Sequence, residues 1–227
     1  MRQGVSPSCP PPPVIMPCQL FYYPSNASLA PHILLEEIGA PFELVRVDRE
    51  HEAHKSQDYL AINPAGVIPA LVDGEVRLGE AAAICLYLAD KHPEANLIPP
   101  LQSAARAQCY RWLVYLTNTV QAELLHYFYP DRLGGEHAAL IQQRASQRLL
   151  PMLAILDAQI AASGGPYLQG KVYTIADIYL FMMCRWTRNL SHPARSLTHL
   201  AAFLEVMRQR PAVMRAHATE NLTPPWF

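Results

Sequence analysis

No stretch of this 227-residue sequence approaches the ~18–20 consecutive apolar residues that a bilayer-spanning helix requires. The longest, around residues 178–184, is short and bounded by charge. An excess of one charge sign is also missing, since 18 Lys+Arg stand against 19 Asp+Glu for a net charge of -1. Without a basic field to collect phosphates or anionic lipid, neither nucleic acid nor a membrane is the expected partner. Cysteine is scarce and scattered: Cys9, Cys18, Cys85, Cys109 and Cys184 form no CxxC pair and no His/Cys group at ligand spacing. A disulfide framework and a bound metal are both unexpected, and a reducing compartment, the cytoplasm, is the natural setting.

What is present is a folded chain, 51% hydrophobic and 16% charged, long enough for two packed domains. The first residues, MRQGVSPSCPPPPVI, are proline-rich and nearly uncharged, so residues 1–16 are expected to form a disordered tail that packs no core. They lack the basic start and continuous apolar stretch of a signal peptide. Removing them is expected to change neither stability nor ligand binding. Residues 17–93 alternate between short apolar runs and helical stretches in the order β-α-β-α-β-β-α, with Asp73-Gly74 as the hairpin signal. Prolines 93, 99 and 100 break the chain, and residues 103–227 read as helices throughout. One long helix is expected over 104–127, and Pro151 is expected to kink another over 136–162.

Three segments carry chemistry. Tyr22-Tyr23-Pro24-Ser25-Asn26-Ala27-Ser28 joins a strand to a helix, with short polar side chains where the positive helix end can meet an anion or a thiolate. Gly39 stands where a left-handed residue would close that helix. In Asn63-Pro64-Ala65-Gly66-Val67-Ile68-Pro69, the proline opens a strand and leaves nearby backbone groups free for a ligand, although an X–Pro bond is ordinarily trans. Glu80 heads the next helix, where its carboxylate suits an ammonium while the helix N–H groups suit a carboxylate, the two halves of an amino-acid zwitterion. Thr174-Ile175-Ala176-Asp177 is a capping box with a structural role only.

Together these segments resemble the glutathione S-transferase family, over residues 18–211. The resemblance implies a thioredoxin-like N-terminal domain, an all-helical C-terminal domain that holds the second substrate, and a homodimer. It implies that Val67-Ile68-Pro69 binds glutathione and carries a cis bond before Pro69, with the Ile68 backbone groups pairing with the cysteinyl part. Glu80 and the backbone of Ala81 would hold the γ-glutamyl end, although most members carry Ser or Thr where this chain has Ala81. His54 and Lys55 would meet the glycyl carboxylate, the surrounding charge run over 46–55 otherwise facing solvent. Bacterial beta-class members are the most similar, but their site cysteine aligns with Ala27 and the next serine with Ser28. Ser28 is therefore the expected thiol-activating donor, with Asn26 and Tyr22 as rivals and Ser25 as a glutathione contact. Their site histidine falls on Gln121 or beside His126. Asn118 and Gln121, three apart, are expected to share one face toward the electrophile, near Trp186. The implied activity joins the glutathione thiolate to an apolar electrophile. A glutathione-dependent disulfide reductase or peroxidase, or a catalytically silent glutathione-binding protein, are the alternatives.

Overall fold

The computed structural model describes residues 17–227, so the proline-rich segment expected to be disordered lies outside the described residues. Strand β1 (Cys18–Tyr22) is followed by α1 (Leu29–Ile38), β2 (Phe42–Arg46), α2 (Gln57–Ile62), β3 (Ala70–Asp73), β4 (Val76–Gly79) and α3 (Ala81–Lys91). The sheet order is β2-β1-β3-β4. Strand β1 runs parallel to β2, pairing Leu20 with Leu44, and antiparallel to β3, pairing Leu20 with Leu71. This is a thioredoxin-like layout, with α1 and α3 burying Ile33, Leu34, Ile84 and Leu88 in the core beside Leu20 and Leu71.

Local signals explain several boundaries. Gly39 closes α1 with φ 73°, and its N–H donates to the Leu35 carbonyl at 3.0 Å; a Cβ in this left-handed conformation would cost stability. The β3–β4 hairpin forms, but its two turn residues are Gly74 and Glu75, and Asp73 pairs with Val76. Gly74 (φ 59°) supplies the positive φ that the tight turn needs. Asp73 is spared for α3, accepting from Tyr87 Oη at 2.8 Å and pairing with Lys91.

The helical part comprises α4 (Ala104–Tyr115), α5 (Ala122–Phe128), α6 (Asp131–Gly134), α7 (Ala138–Ser163), α8 (Ile175–Trp186), α9 (Thr198–Arg208) and α10 (Pro211–Thr219). Between α4 and α5 the chain makes a π-helical turn, Leu116–Gln121, where one uninterrupted α-helix was expected. Helix α7 continues through Pro151 as a single element. Helix α8 is buried from Ile175 to Arg185 and forms the centre of the core, each of its large apolar side chains contributing about 1.5–3 kcal/mol by burial. Its start is fixed by the expected capping box: Asp177 Oδ2 accepts from Thr174 N and Oγ1 at 2.8 and 2.9 Å, and Oδ1 accepts from Leu168 N at 2.8 Å. One continuous apolar cluster runs from Leu20 in the sheet through α8 to Ala216 in α10, so the two parts share a core. Among the described residues the four cysteines are free thiols, and no group of three His, Cys, Asp or Glu side chains could hold a metal. Among the described residues no helix is long and apolar enough to cross a membrane.

Candidate functional site

A cleft of about 480 Å³ opens where the β1–α1 turn, the Gly66–Pro69 loop and the N-terminus of α3 face α5, α6 and the end of α8. Its N-terminal wall begins at Ser25, whose backbone takes a positive φ of 61° and whose N–H donates to Glu220 Oε2 at 2.8 Å. Asn26 follows. Its Oδ1 accepts from Ala27 N at 2.6 Å, which leaves the Nδ2 amide as the donor available to the cleft.

The next part of that wall is held open by its own hydrogen bonds. The Val67 carbonyl accepts from Tyr59 Oη at 2.7 Å and from Asn63 Nδ2 at 2.8 Å, anchoring the loop from behind. The Ile68–Pro69 bond is cis, as the resemblance implied and the residues alone did not. Ile68 precedes the first ladder residue of β3, so its backbone groups lie at the cleft outside the sheet. Lys55 Nζ donates to the Gly66 carbonyl at 2.8 Å. Gly66 has φ 58°, and a Cβ there would come within 2.9 Å of Lys55 Nζ and 3.1 Å of the His54 carbonyl, so only glycine lets the two segments close. His54 has an unpartnered buried Nδ1, and burial, then Lys55 and Arg49, push its pKa down.

Glu80 completes the wall. It stands at the N-terminus of α3 with φ 60°, its side chain makes no capping hydrogen bond, and the buried Ala81 follows. A carboxylate beside the N–H groups of a helix start can take both halves of a zwitterion, an ammonium on the carboxylate and a carboxylate on the amides.

Several expected site residues are elsewhere. Ser28 is fully buried and turned away from the cleft: its hydroxyl donates to the Tyr23 carbonyl at 3.0 Å and accepts from Tyr23 N at 3.3 Å. It is already in the helical region of φ/ψ and makes no side-chain cap. Tyr22 ends β1 with its ring 6.2 Å from that of His32, packed against the core rather than lining the cleft. Asn118 is exposed and accepts from Thr117 Oγ1 at 3.3 Å, outside the cleft. Gln121 does line it, with Oε1 accepting from Tyr179 Oη at 2.5 Å. The wider π turn, closed by i→i+5 bonds, separates two residues that an α-helix would have placed on one face. Trp186 lines the cleft, edge-on to Phe128 at 6.2 Å, whereas His126 does not line it.

The helical wall also brings residues that no spacing rule selected. Tyr129 lies between two guanidinium groups: Arg49 Nη2 donates to its hydroxyl at 2.6 Å, and Arg132 stacks 4.0 Å over its ring. Arg49 belongs to the charge run expected to face solvent, and its cleft position corrects that expectation. Arg188, just beyond α8, is half-buried, and burial lowers its pKa. Among the described residues four cations, Arg49, Lys55, Arg132 and Arg188, therefore line the cleft against the one carboxylate of Glu80. The near-neutral chain thus carries a local positive field, focused in a concave site where it acts most strongly on an anionic ligand.

Comparison with known proteins fits this geometry. The family models of the glutathione S-transferase N-terminal and C-terminal domains match residues 16–90 and 119–216. Glutathione S-transferase GstA of Escherichia coli O157:H7 is 34% identical over 206 residues, covering 90% of this chain and 99% of that one. A glutathione transferase homologue from Sulfitobacter, solved with bound glutathione, superposes with a TM-score of 0.83 at 27% identity, covering 91% of this chain and 99% of that one. A sphingomonad glutathione S-transferase complexed with glutathione gives a TM-score of 0.77 at 34% identity, covering 90% and 100%.

Proposed function

The chain belongs to the glutathione S-transferase family, and on that premise we propose how it uses the cleft: glutathione lies along the N-terminal wall, and its thiolate attacks an electrophilic carbon held by the helical wall. The observation that carries this reading is Glu80, an exposed carboxylate free of any capping bond at the start of α3. It takes the γ-glutamyl ammonium, while the Ala81 N–H takes the adjoining carboxylate. The backbone of Ile68 pairs with the cysteinyl residue. Lys55, with two N–H groups left beyond its bond to Gly66, takes the glycyl carboxylate beside His54 and Arg49. Among the described residues no cysteine lines the cleft, so in this reading the reacting sulfur is the ligand's own.

Reactivity belongs to the thiolate, and lowering a thiol pKa from about 8.5 by two units takes roughly 2.7 kcal/mol of preferential stabilisation of the anion. A hydrogen bond to a charged group contributes about 1.5–3 kcal/mol, and the helix start adds a few tenths more. Asn26 Nδ2 supplies a donor of that kind, and the positive end of α1 lies behind it. The sulfur then forms a bond to the electrophilic carbon as the leaving group departs with its electron pair. The second substrate rests its apolar body on Leu125, Phe128 and Trp186.

In solution the protein is a two-fold homodimer in this reading, supported by the apolar side chains that α4 leaves in water, Val114 at 54% and Tyr110 at 38% exposure. Its free thiols fit a reducing cytoplasm. The deciding experiment titrates the thiolate absorbance of glutathione on the protein. Bound glutathione is expected to ionise well below its free value of about 8.5, and an aryl halide to be conjugated. Ionisation unchanged from that in water would sink the proposal.

A further inference from the structure

We propose that the electrophile taken by this cleft is an aryl compound bearing a carboxylate, which Arg132 and Arg188 hold while its ring lies against Phe128, Tyr129 and Trp186. The inference rests on the glutathione reading above and goes beyond it to the class of the second substrate.

The charge of the cleft carries the argument. Among the described residues four cations face one carboxylate. Glutathione as its thiolate brings two carboxylates, one ammonium and one sulfur anion, which leaves the loaded cleft with one positive charge unmatched. That excess sits on the helical wall. The N-terminal wall has uses for its cations: Lys55 is tied to the Gly66 carbonyl and Arg49 to the Tyr129 hydroxyl. On the helical wall, Arg188 has a single side-chain hydrogen bond among the described residues, Nη1 to the Arg185 carbonyl at 3.0 Å. Arg132 has none there and rests on the Tyr129 ring. Arg188, half-buried without a carboxylate partner, carries a desolvation cost that an arriving carboxylate offsets with paired, charge-assisted hydrogen bonds, and the exposed Arg132 adds further donors. Beside these groups, Phe128 and Trp186 stand edge-on at an interplanar angle of 87°, an aromatic corner suited to a flat ring.

An aryl chloride with ortho nitro groups and a ring carboxylate meets these demands. The thiol proton leaves to water when glutathione ionises. The sulfur lone pair forms the S–C bond at the ring carbon, the C–Cl bond breaks, and chloride leaves with its electron pair. The carboxylate takes no part in bond making and serves to orient the ring.

The test uses full-length protein loaded with glutathione, titrated calorimetrically with dinitrobenzoate and dinitrobenzamide, which share a ring but carry no leaving group. The benzoate is expected to bind about tenfold more tightly, as one charge-assisted interaction implies, and the gap is expected to shrink with added salt. The gap closes in the Arg132→Gln/Arg188→Gln double variant and persists in Arg188→Lys. The matching chlorodinitrobenzoate and chlorodinitrobenzamide are expected to show the same order in kcat/KM, once each is divided by its uncatalysed rate. Amide binding equal to or tighter than the benzoate overturns the inference. So does competition of the benzoate with glutathione, since the cations would then serve the carboxylates of glutathione itself. Failure of glutathione to bind in the preceding titration is a different result, which sinks the glutathione reading and this inference with it.

Discussion

His32 and Glu220, 188 residues apart in sequence, meet with Nδ1 and Oε1 at 2.8 Å, both side chains fully shielded from solvent. The second oxygen of Glu220 accepts the Ser25 N–H at 2.8 Å. A residue just beyond α10 therefore holds both the middle of the first helix and the turn that begins the cleft. Ser25 takes a positive φ there, which a non-glycine residue keeps only when its surroundings enforce it.

Replacing Glu220 by Ala strands the His32 nitrogen and the Ser25 N–H at once. Each buried group left without its partner costs about 1–3 kcal/mol, so the two together cost roughly 3–5 kcal/mol. At about 2–4 °C per kcal/mol for a chain of this size, the Glu220→Ala melting temperature is expected to fall by about 10 °C. Because the turn loosens, KM for glutathione is expected to rise as well. Calorimetry and steady-state kinetics check the two effects, and an unchanged KM with a lowered melting temperature would restrict Glu220 to stability.

His217 supplies a pH dependence. Its ring is stacked between Phe181, at 5.7 Å, and Trp226, at 5.1 Å. Burial, then Arg185 and His32, push its pKa down to about 4. A base depressed in the folded state keeps its full contribution above the unfolded value near 6.5 and loses it as pH falls from there through about 4. At about 1.4 kcal/mol per pH unit, the loss is on the order of 3 kcal/mol. Asp177, raised by burial to about 6, works in the opposite direction over nearly the same range, so the parent protein alone does not isolate either group. His217→Phe keeps the stack and removes the titration. Relative to the parent, the variant is expected to gain several degrees of melting temperature between pH 7 and pH 4, and a constant difference across that range would reject the assignment.

Much of the fold was legible because its signals are local. The Gly39 helix end, the hairpin after Asp73 and the Thr174–Asp177 box each depend on a few neighbouring residues. Glu80 at the head of α3 and the loop before Pro69 were marked from the residues themselves, whereas the cis bond of that loop came only with the family resemblance. Residues whose roles come from distant chain were not. Ser28 has the right type and place for a helix cap, but the hydroxyl turns back to Tyr23, a choice made by packing. The π turn at Leu116–Gln121 carries no glycine or proline to announce it. Arg132, Arg188 and Glu220 reach the cleft or its supports only through tertiary contacts, and no spacing rule in their own segments points there.

Glu80 offers a clean separation of binding from chemistry. Glu80→Gln keeps the size and the helix start but removes the charge that is proposed to meet the γ-glutamyl ammonium. A charge-assisted bond of about 1.5–3 kcal/mol implies a rise of tenfold or more in KM for glutathione, with kcat falling less. A matching fall in kcat at constant KM would place Glu80 in the chemical step instead.

Thiol activation separates Asn26 from Ser28. Resemblance to the beta class favoured Ser28, yet that hydroxyl is buried and spends both its donor and an acceptor on the Tyr23 backbone. Asn26 lines the cleft with Oδ1 occupied by the Ala27 N–H, so Nδ2 is the group left to donate to a sulfur anion. Ser25 is the other side chain of the turn that lines the cleft with a donor. Asn26→Ala is expected to raise the pKa of bound glutathione by about one unit and to lower kcat/KM about tenfold, the equivalent of roughly 1.4 kcal/mol. Ser28→Ala takes the acceptor from the Tyr23 N–H, while the Tyr23 carbonyl keeps the Asn26 N–H, so it is expected to cost about 1–3 kcal/mol of stability while the thiol titration stays in place. Ser25→Ala, measured alongside, is expected to fall between them. The thiolate absorbance of bound glutathione, followed against pH in each variant, reads all three. A titration that moves in Ser28→Ala and stays fixed in Asn26→Ala would return the role to the serine, because only a donor to the sulfur itself shifts the ionisation.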